Sequence, residues 1–258
     1  DTFIELSDME NDIARSSNSS DGPDLSGPPP TPGEFLETVW SPLPGMPSSL
    51  TPKHNCGLCP RLAQFRAANI DAHPDWHNGS VPSFGQEDAS LLIVGLAPGL
   101  KGANRTGRPF TGDYAGDLLY PTLQSFKFAT GQYDKRSDDG LTLVDCRITN
   151  AVRCVPPQNK PTGPEVKTCR DFLINEINSL KSLQVILVLG VVAHTAVMAS
   201  FGEKLSARKF KHCAVHSLPN EMTIIDSYHC SRYNTNTRRL TPKMFNDAFK
   251  LVREYIGT

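Results

Sequence analysis

The sequence predicts a three-layer α/β/α fold, in which helices cover both faces of a central, mostly parallel four-stranded sheet. Short unbroken runs of branched apolar residues are typical of strands that are buried on both faces. Leu91–Val94 is such a run, and four predicted strands alternate with segments of helical periodicity, which is the pattern of a parallel sheet with crossover helices. The strands are predicted at residues 91–95, 141–150, 184–190 and 222–227.

Helices are predicted before the first strand, between the strands and at the end of the chain. Thr162, with Glu165 three residues later, forms a capping-box pattern. Thr241 followed by Pro242 marks the start of the last helix. The other predicted helices run from the Cys59 region to Asn69, over 117–130, over 162–183 and from about residue 192.

The composition suits one folded domain with a tail: 258 residues, 38% hydrophobic and 21% charged. Residues 1–33 are rich in Ser, Asp, Gly and Pro and are predicted to form a disordered acidic tail. Residues 34–258 are predicted to form the domain. The longest apolar runs, such as 185–192, are too short to span a bilayer, and no export signal opens the sequence. We therefore expect an intracellular protein with no membrane partner.

The formal net charge of −1 conceals an asymmetry along the chain. Residues 1–45 hold nine of the 27 acidic residues and one arginine, which leaves 18 acidic and 25 basic residues in 46–258. The body of the protein is therefore basic, as expected of a chain with a polyanionic partner.

The stretch from Leu91 to Gly116 joins the first strand to a long, glycine-rich polar loop. Ligands of open α/β sheets bind at the carboxyl ends of strands, and a loop of this length inside a compact domain is usually functional. The loop contains Phe110, Asp113 and two arginines. It lacks the Gly-x-Gly-x-x-Gly and Gly-Lys-Ser/Thr patterns, which argues against nucleotide binding. A plain connecting loop is the alternative.

Polar side chains also follow the second and fourth strands. Asn150 ends the second strand, and its amide offers a donor and an acceptor to the edge of a base. A turn or capping asparagine is the alternative. The segment from His229 to Thr241 mixes Ser, Asn, Thr and Arg around one tyrosine. This mixture suits phosphate contacts and a wedge into a duplex, and a solvated loop is the alternative.

Seven cysteines without an export signal favour metal or cluster ligation over disulfides. Cys56 and Cys59 have the C-x2-C spacing, and Cys154 and Cys169 could complete a four-thiolate site. The spacing alone is compatible with zinc, an iron–sulfur cluster or a redox pair. The other three cysteines are expected to be buried or incidental: Cys146, Cys213 and Cys230.

The sequences GLAPG at 95–99 and GANRTGRPFTGDYAG at 102–116 together resemble the first motif of the family 5 uracil-DNA glycosylases, the UDGb type. The segment from His229 is similar to the second motif of that family, with Cys230 and Arg238 where Pro and Gly are usual. The resemblance covers roughly residues 35–258. It implies that 34–258 is a catalytic domain with the uracil-DNA glycosylase fold.

This resemblance implies an enzyme that flips uracil out of DNA and hydrolyses its N-glycosidic bond at the start of base excision repair. Hypoxanthine and xanthine are further candidate bases. The protein would act as a monomer on DNA that contains a deaminated base. It also implies a [4Fe-4S] cluster held by four thiolates, those of Cys56, Cys59, Cys154 and Cys169.

The resemblance further assigns roles to individual residues. Phe110 would stack on the base, Asn150 would read its edge, and His229 would donate a hydrogen bond to the uracil O2. Asp113 would position or activate the water, and capping of the following helix is its alternative role. Backbone amides around Leu96 and Ala97 would contact a base carbonyl. The predicted DNA contacts are Ser231, Asn234, Arg238 and Arg239.

Two other classes of protein are compatible with part of this pattern. A non-enzymatic nucleic-acid-binding protein with a four-cysteine metal site would explain the thiols and the basic body, but it needs no base pocket at the strand ends. An iron–sulfur oxidoreductase would explain the thiols, but the sequence lacks a nucleotide-binding fingerprint.

Overall fold

A computed structural model describes residues 51–218 and 221–257. The predicted tail and the predicted start of the domain at residue 34 lie outside these residues. No helix within the described ranges combines the length and apolar content needed to cross a bilayer.

Four parallel strands form the centre of the main sheet, as predicted. Their order across the sheet is β5-β2-β6-β8, and short antiparallel strands flank them, β1 beside β5 and β7 beside β8. The sheet therefore has six strands in the described part of the chain, two more than predicted. The strands are β1 (Phe84–Gly85), β2 (Leu91–Gly95), β5 (Cys146–Asn150), β6 (Val185–Leu189), β7 (Val215–Ser217) and β8 (Thr223–Ser227), and a separate hairpin is formed by β3 (Ala129–Thr130) and β4 (Thr142–Leu143).

Helices cover both faces of the sheet, and every residue of the four central strands is buried. The helices are α1 (Pro60–Ala72), α2 (Ala103–Thr106), α3 (Tyr114–Ser125), α4 (Gly163–Ser179), α5 (Val191–Ser200), α6 (Arg232–Asn236) and α7 (Pro242–Ile256), with a short 3-10 turn at Pro157–Asn159. Leu91 and Ile93 pack with α3 and α7 in one core, whereas Leu92 and Val94 pack with α1, α4 and α5 in the other.

Three predicted elements differ from the structure, one of them the helix over 162–183, which ends at Ser179. The predicted strand 141–150 is divided, because Asp145 adopts a positive φ of 49° and its carboxylate accepts a hydrogen bond of 2.7 Å from the Ser90 amide. The predicted helix 117–130 begins at Tyr114 and ends at Ser125, and its last predicted residues form β3 instead. The capping box at Thr162 and the start of the last helix after Thr241 are confirmed.

Candidate active site

Two neighbouring strand ends form the floor of the candidate site. Gly95 and Asn150 end β2 and β5 and lie side by side in the sheet. A methyl group on Gly95 would collide with the Asn150 amide oxygen and with the ring of Phe110. The absence of a side chain at Gly95 therefore lets the amide and the ring approach each other, as a slot for a planar ligand requires.

The ring of Phe110 lies beside Gly95 and the Asn150 amide. Its backbone lies in the left-handed region, with φ of 53°, and its side chain is buried. Its ring centroid lies 5.9 Å from that of His229, with 29° between the planes. The aromatic residue of the first motif and the histidine of the second motif therefore meet at the same edge of the sheet.

His229 follows β8, and its position is fixed through the backbone. The side-chain amide of Asn234 donates a 2.8 Å hydrogen bond to the His229 carbonyl. Gly190, which directly follows β6, also lies close to His229: a methyl group added to Gly190 would be 3.4 Å from the His229 Cβ. Burial lowers the pKa of His229 to about 4, so the imidazole is neutral at neutral pH. Its buried Nδ1 atom has no hydrogen-bond partner among the described residues, so a ligand or water can use it.

The two carboxylate oxygens of Asp113 have different neighbours, a helix N-terminus and the first-motif loop. One oxygen, Oδ1, accepts a 3.2 Å hydrogen bond from the Ala115 amide and caps α3. The other oxygen, Oδ2, lies so close to the backbone of Gly99 and Gly102 that a methyl group on either residue would overlap it. Burial raises the pKa of Asp113, while hydrogen bonds from the Gly116 and Ala115 amides oppose this shift. The carboxylate therefore faces the first-motif loop while it caps the helix.

The predicted DNA-contacting residues divide into two groups. Ser231 caps α6 through a 3.4 Å bond to the Asn234 amide. Asn234 is buried, and its side-chain amide is hydrogen-bonded inside the loop; its contact with DNA stays a prediction. Arg238 and Arg239 are exposed. Arg238 has φ of 58° at the position where the family has glycine, and the Arg239 guanidinium lies 5.0 Å from the Tyr228 ring centroid.

The backbone at Leu96 and Ala97 continues from β2 into the first-motif loop, and both residues are partly buried. The Leu96 carbonyl accepts a 3.0 Å hydrogen bond from the Val152 amide. This bond ties the turn after β2 to the segment that follows Asn150, so the two backbones remain adjacent beyond the end of the sheet.

The four predicted cysteine ligands line one small pocket, with apolar neighbours that include Leu62 and Phe172. Cys56 and Cys59 precede α1, Cys154 follows β5, and Cys169 lies on α4. Burial raises the pKa of Cys59 to about 11 and that of Cys154 to about 12. Burial of this kind favours neutral thiols in the metal-free protein, so ligand binding must release protons.

The two metals that four thiolates could bind require different distances between the sulfur atoms. In the described residues, only His194, His216 and Asp226 bring three candidate ligand atoms within 4.8 Å of one another. A tetrahedral zinc with Zn–S bonds of about 2.3 Å would hold its sulfurs roughly 3.8 Å apart. A four-iron cluster binds each thiolate to a different iron and requires a wider spacing. The chemistry of the donor set, four thiolates around one pocket, fits a four-iron cluster as well as zinc.

Nitrogen donors surround these thiols. An Arg66 nitrogen lies 3.7 Å from the Cys154 sulfur, and the Arg153 amide donates a 3.4 Å hydrogen bond to the Cys169 sulfur. Hydrogen bonds to sulfur of this kind adjust the properties of thiolate-bound metal centres.

The fold and the site define a class of protein: an α/β protein with a mainly parallel sheet that brings a glycine, an asparagine, a phenylalanine and a histidine together at the carboxyl edge of its central strands. A family model described as "Uracil DNA glycosylase superfamily" matches residues 82–253. The chain is 40% identical over 208 residues to a type-5 uracil-DNA glycosylase of Thermus thermophilus, covering 78% of this chain and 94% of the relative. It is 37% identical to a type-5 enzyme of Mycobacterium leprae, covering 78% and 92%. The chain belongs to the uracil-DNA glycosylase superfamily, and within it to the type-5 group.

The structure also shows a buried cluster that the sequence analysis missed. The Asp226 carboxylate lies 2.7 Å from His194 Nδ1 and 2.9 Å from His216 Nε2, and it accepts a 3.0 Å bond from the Lys211 amide. These contacts anchor the end of β8 three residues before His229. The two histidines are 22 residues apart in the sequence, which is not a recognisable ligand spacing, so no local pattern could have revealed the cluster.

Proposed function

We propose that this protein removes uracil from DNA by hydrolysing the N-glycosidic bond, the first step of base excision repair. The observation that carries the proposal is the convergence of Phe110, Asn150 and His229 over the bare backbone of Gly95. Type-5 uracil-DNA glycosylases as relatives along most of the chain support the same function.

In the proposed complex, the flipped base enters the slot at the edge of the sheet. Phe110 stacks on its face, and the Asn150 amide pairs with its Watson–Crick edge. Backbone amides around Leu96 and Ala97 contact a base carbonyl. Because the slot recognises a base outside the helix, the enzyme must first disrupt the stacking of that base.

Bond cleavage leaves negative charge on the departing uracil and positive charge on the sugar. His229 is the proposed donor to the uracil O2, where this charge develops. Its low pKa means that it acts as a neutral imidazole with one N–H. Donation from a neutral group stabilises the anion without transferring a proton to it.

Asp113 is the proposed residue that positions or activates the attacking water. One oxygen serves as the helix cap and the other faces the backbone of the first-motif loop. The capping bond fixes the carboxylate, which is the property that a water-positioning group needs.

The loop after His229 is the proposed contact with DNA. Ser231, Arg238 and Arg239 are the proposed phosphate-binding residues. Tyr233, with half of its surface exposed, is the proposed wedge between base pairs. Asn234 supports this loop from inside through its bond to the His229 carbonyl.

We further propose that Cys56, Cys59, Cys154 and Cys169 bind a [4Fe-4S] cluster. The shared pocket and the four-thiolate donor set support this proposal. When bound, the cluster would supply a cross-link between α1, α4 and the segment after β5, since the reaction itself transfers no electrons. We also propose an intracellular monomer, because DNA repair takes place inside the cell and one chain supplies the whole slot.

The test is an excision assay on labelled duplexes that contain uracil, hypoxanthine, xanthine or a thymine mismatch at one position. We expect abasic sites at uracil, detected as strand breaks after alkali, and a matched normal duplex is the control. Binding to the duplexes without any abasic site would contradict the proposal and favour a non-enzymatic nucleic-acid-binding protein.

A further inference from the structure

We propose that Tyr120, Tyr133 and the ion pair between Arg108 and Asp139 form a clamp that holds Phe110 in its left-handed conformation and thereby sets the shape of the base slot. None of these four side chains is part of the slot itself, so they are positioning residues. The effect on excision rests on the proposed function. The effect on the loop conformation does not.

The backbone conformation of Phe110 requires such support. Left-handed backbone is uncommon for residues other than glycine, and it is unfavourable for a bulky residue. Phe110 adopts φ of 53° although the chain has a glycine only two residues later. A strained residue at a functional site persists only when its surroundings hold it in place.

Two tyrosine hydroxyls bind consecutive carbonyls of this segment. Tyr120 Oη donates a 2.5 Å hydrogen bond to the Pro109 carbonyl, and Tyr133 Oη donates a 3.3 Å bond to the Phe110 carbonyl. The Thr111 hydroxyl also donates to the Pro109 carbonyl, at 3.1 Å. The peptide planes on both sides of the strained Phe110 Cα are therefore fixed by side chains from α3 and from the loop between β3 and β4.

A buried ion pair holds the tyrosines in position. Arg108 donates two hydrogen bonds of 2.8 Å to the two oxygens of Asp139, and both side chains are at least 95% buried. The guanidinium carbon lies 5.4 Å from the ring centroid of Tyr120 and 5.9 Å from that of Tyr133. Arg108 therefore links both rings of the clamp through cation–π contacts.

Asp139 connects this unit to the rest of the hairpin loop. It accepts hydrogen bonds of 2.9 Å from the Asp134 amide and 3.1 Å from the Leu141 amide. Hydrogen bonding to Arg108 holds the pKa of Asp139 well below its usual range. The carboxylate is therefore charged near neutral pH, and both partners of the ion pair carry their charge.

Close packing leaves Phe110 little room to relax. A methyl group on Gly116, in the first turn of α3, would overlap both the Phe110 carbonyl and the Tyr133 hydroxyl. On the other side, the Phe110 ring lies against Gly95 and the Asn150 amide. Rotation of the Phe110 backbone would therefore move its ring relative to the amide that reads the base.

The test compares Tyr133→Phe and Tyr120→Phe with Tyr255→Phe, a matched control that removes the hydroxyl of an exposed tyrosine on α7. Each clamp variant should slow single-turnover uracil excision about fivefold, the effect of one lost hydrogen bond. The Kd for normal duplex should stay within about twofold of wild type, because phosphate contacts dominate affinity. Tyr255→Phe should match wild type in both measurements.

A double-mutant cycle shows whether the tyrosines act through Phe110. In a Phe110→Ala background the stacking ring is absent, so Tyr133→Phe should slow excision no further. A general loss of stability would instead slow both backgrounds equally. Tyr133 is only partly buried, so Tyr133→Phe is the milder variant if Tyr120→Phe fails to fold.

Amide hydrogen exchange in the free protein tests the clamp without any activity measurement. Exchange in residues 110–116 should be faster in the clamp variants than in the Tyr255→Phe control, and exchange in β2 and β5 should be unchanged. If wild type does not excise uracil, the proposed function is wrong and this exchange result still decides the clamp. Equal exchange in the clamp and control variants, or equal excision by an active enzyme, would overturn the clamp.

Discussion

Replacing His229 with alanine removes the proposed donor to the departing uracil. Loss of one donor of this type costs about 2.7–4 kcal/mol in the transition state, or roughly 100- to 1000-fold in rate. With its pKa lowered to about 4, His229 is neutral at pH 7. A neutral donor forms a weaker bond to an anion than a charged one, so we expect a loss near 100-fold.

Single-turnover excision on a uracil duplex measures this loss directly. The loop should keep its shape in the variant, because Asn234 binds the main-chain carbonyl of His229 and not its ring. DNA affinity should therefore change little. An excision rate within about fivefold of wild type would contradict the role of His229.

The pH dependence provides a second check on the same residue. The pKa of His229 falls from 6.5 to about 4 on folding, so below pH 6.5 the unfolded chain binds a proton that the folded protein does not. This residue should lower the free energy of unfolding by at most about 2 kcal/mol between pH 7 and pH 5. His229→Ala should remove that component, as measured by denaturant unfolding at both pH values.

The activity profile distinguishes a neutral donor from a charged one. With a neutral His229, protonation of this ring should not limit excision between about pH 5 and pH 8. If excision instead requires protonated His229, the rate will fall as the pH rises throughout this range, because the folded-state pKa of the ring is only about 4. That result would refute the assignment of a neutral imidazole.

Three further predictions concern other parts of the protein. Asp113→Asn keeps a capping oxygen but loses the carboxylate, so excision should fall by about 100-fold or more with normal thermal stability; near wild-type excision would leave Asp113 as a helix cap only. Protein purified without oxygen should be brown and contain about four iron atoms per chain, whereas colourless protein with one bound zinc would exclude the cluster. Arg238→Gly should raise the free energy of unfolding by about 1 kcal/mol by relieving the left-handed backbone, and it should reduce the salt dependence of DNA binding by about one phosphate contact; an unchanged salt dependence would remove Arg238 from the DNA surface.

The elements that the sequence predicts well are those defined by local patterns. The runs at 91–95 and 184–190 are mainly apolar, and 222–227 has Ile224 and Ile225 at its centre, a composition typical of strands buried on both faces. The observed strands lie within these limits to within one residue. The capping box at Thr162 was equally reliable, because its two hydrogen bonds involve residues only three positions apart.

Where the prediction departed from the structure, distant contacts decided the outcome. Residues 141–150 have the apolar content of one strand, but the contact between Asp145 and Ser90 breaks it in two. The last predicted residues of the helix over 117–130 pair instead with residues 142–143. Each partner lies at least 12 positions away in the sequence, so local propensity could not include it.

The sequence by itself determined the α/β class and the parallel strands and predicted the candidate site residues of three motifs, because each depends on residues that are close together in the chain. The tertiary structure decided how those residues meet. The approach of Phe110 to Asn150 depends on Gly95, and the conformation of Phe110 depends on Tyr133 and the ion pair of Arg108. These contacts join separate segments, and their geometry exists only after the sheet has brought the strand ends together.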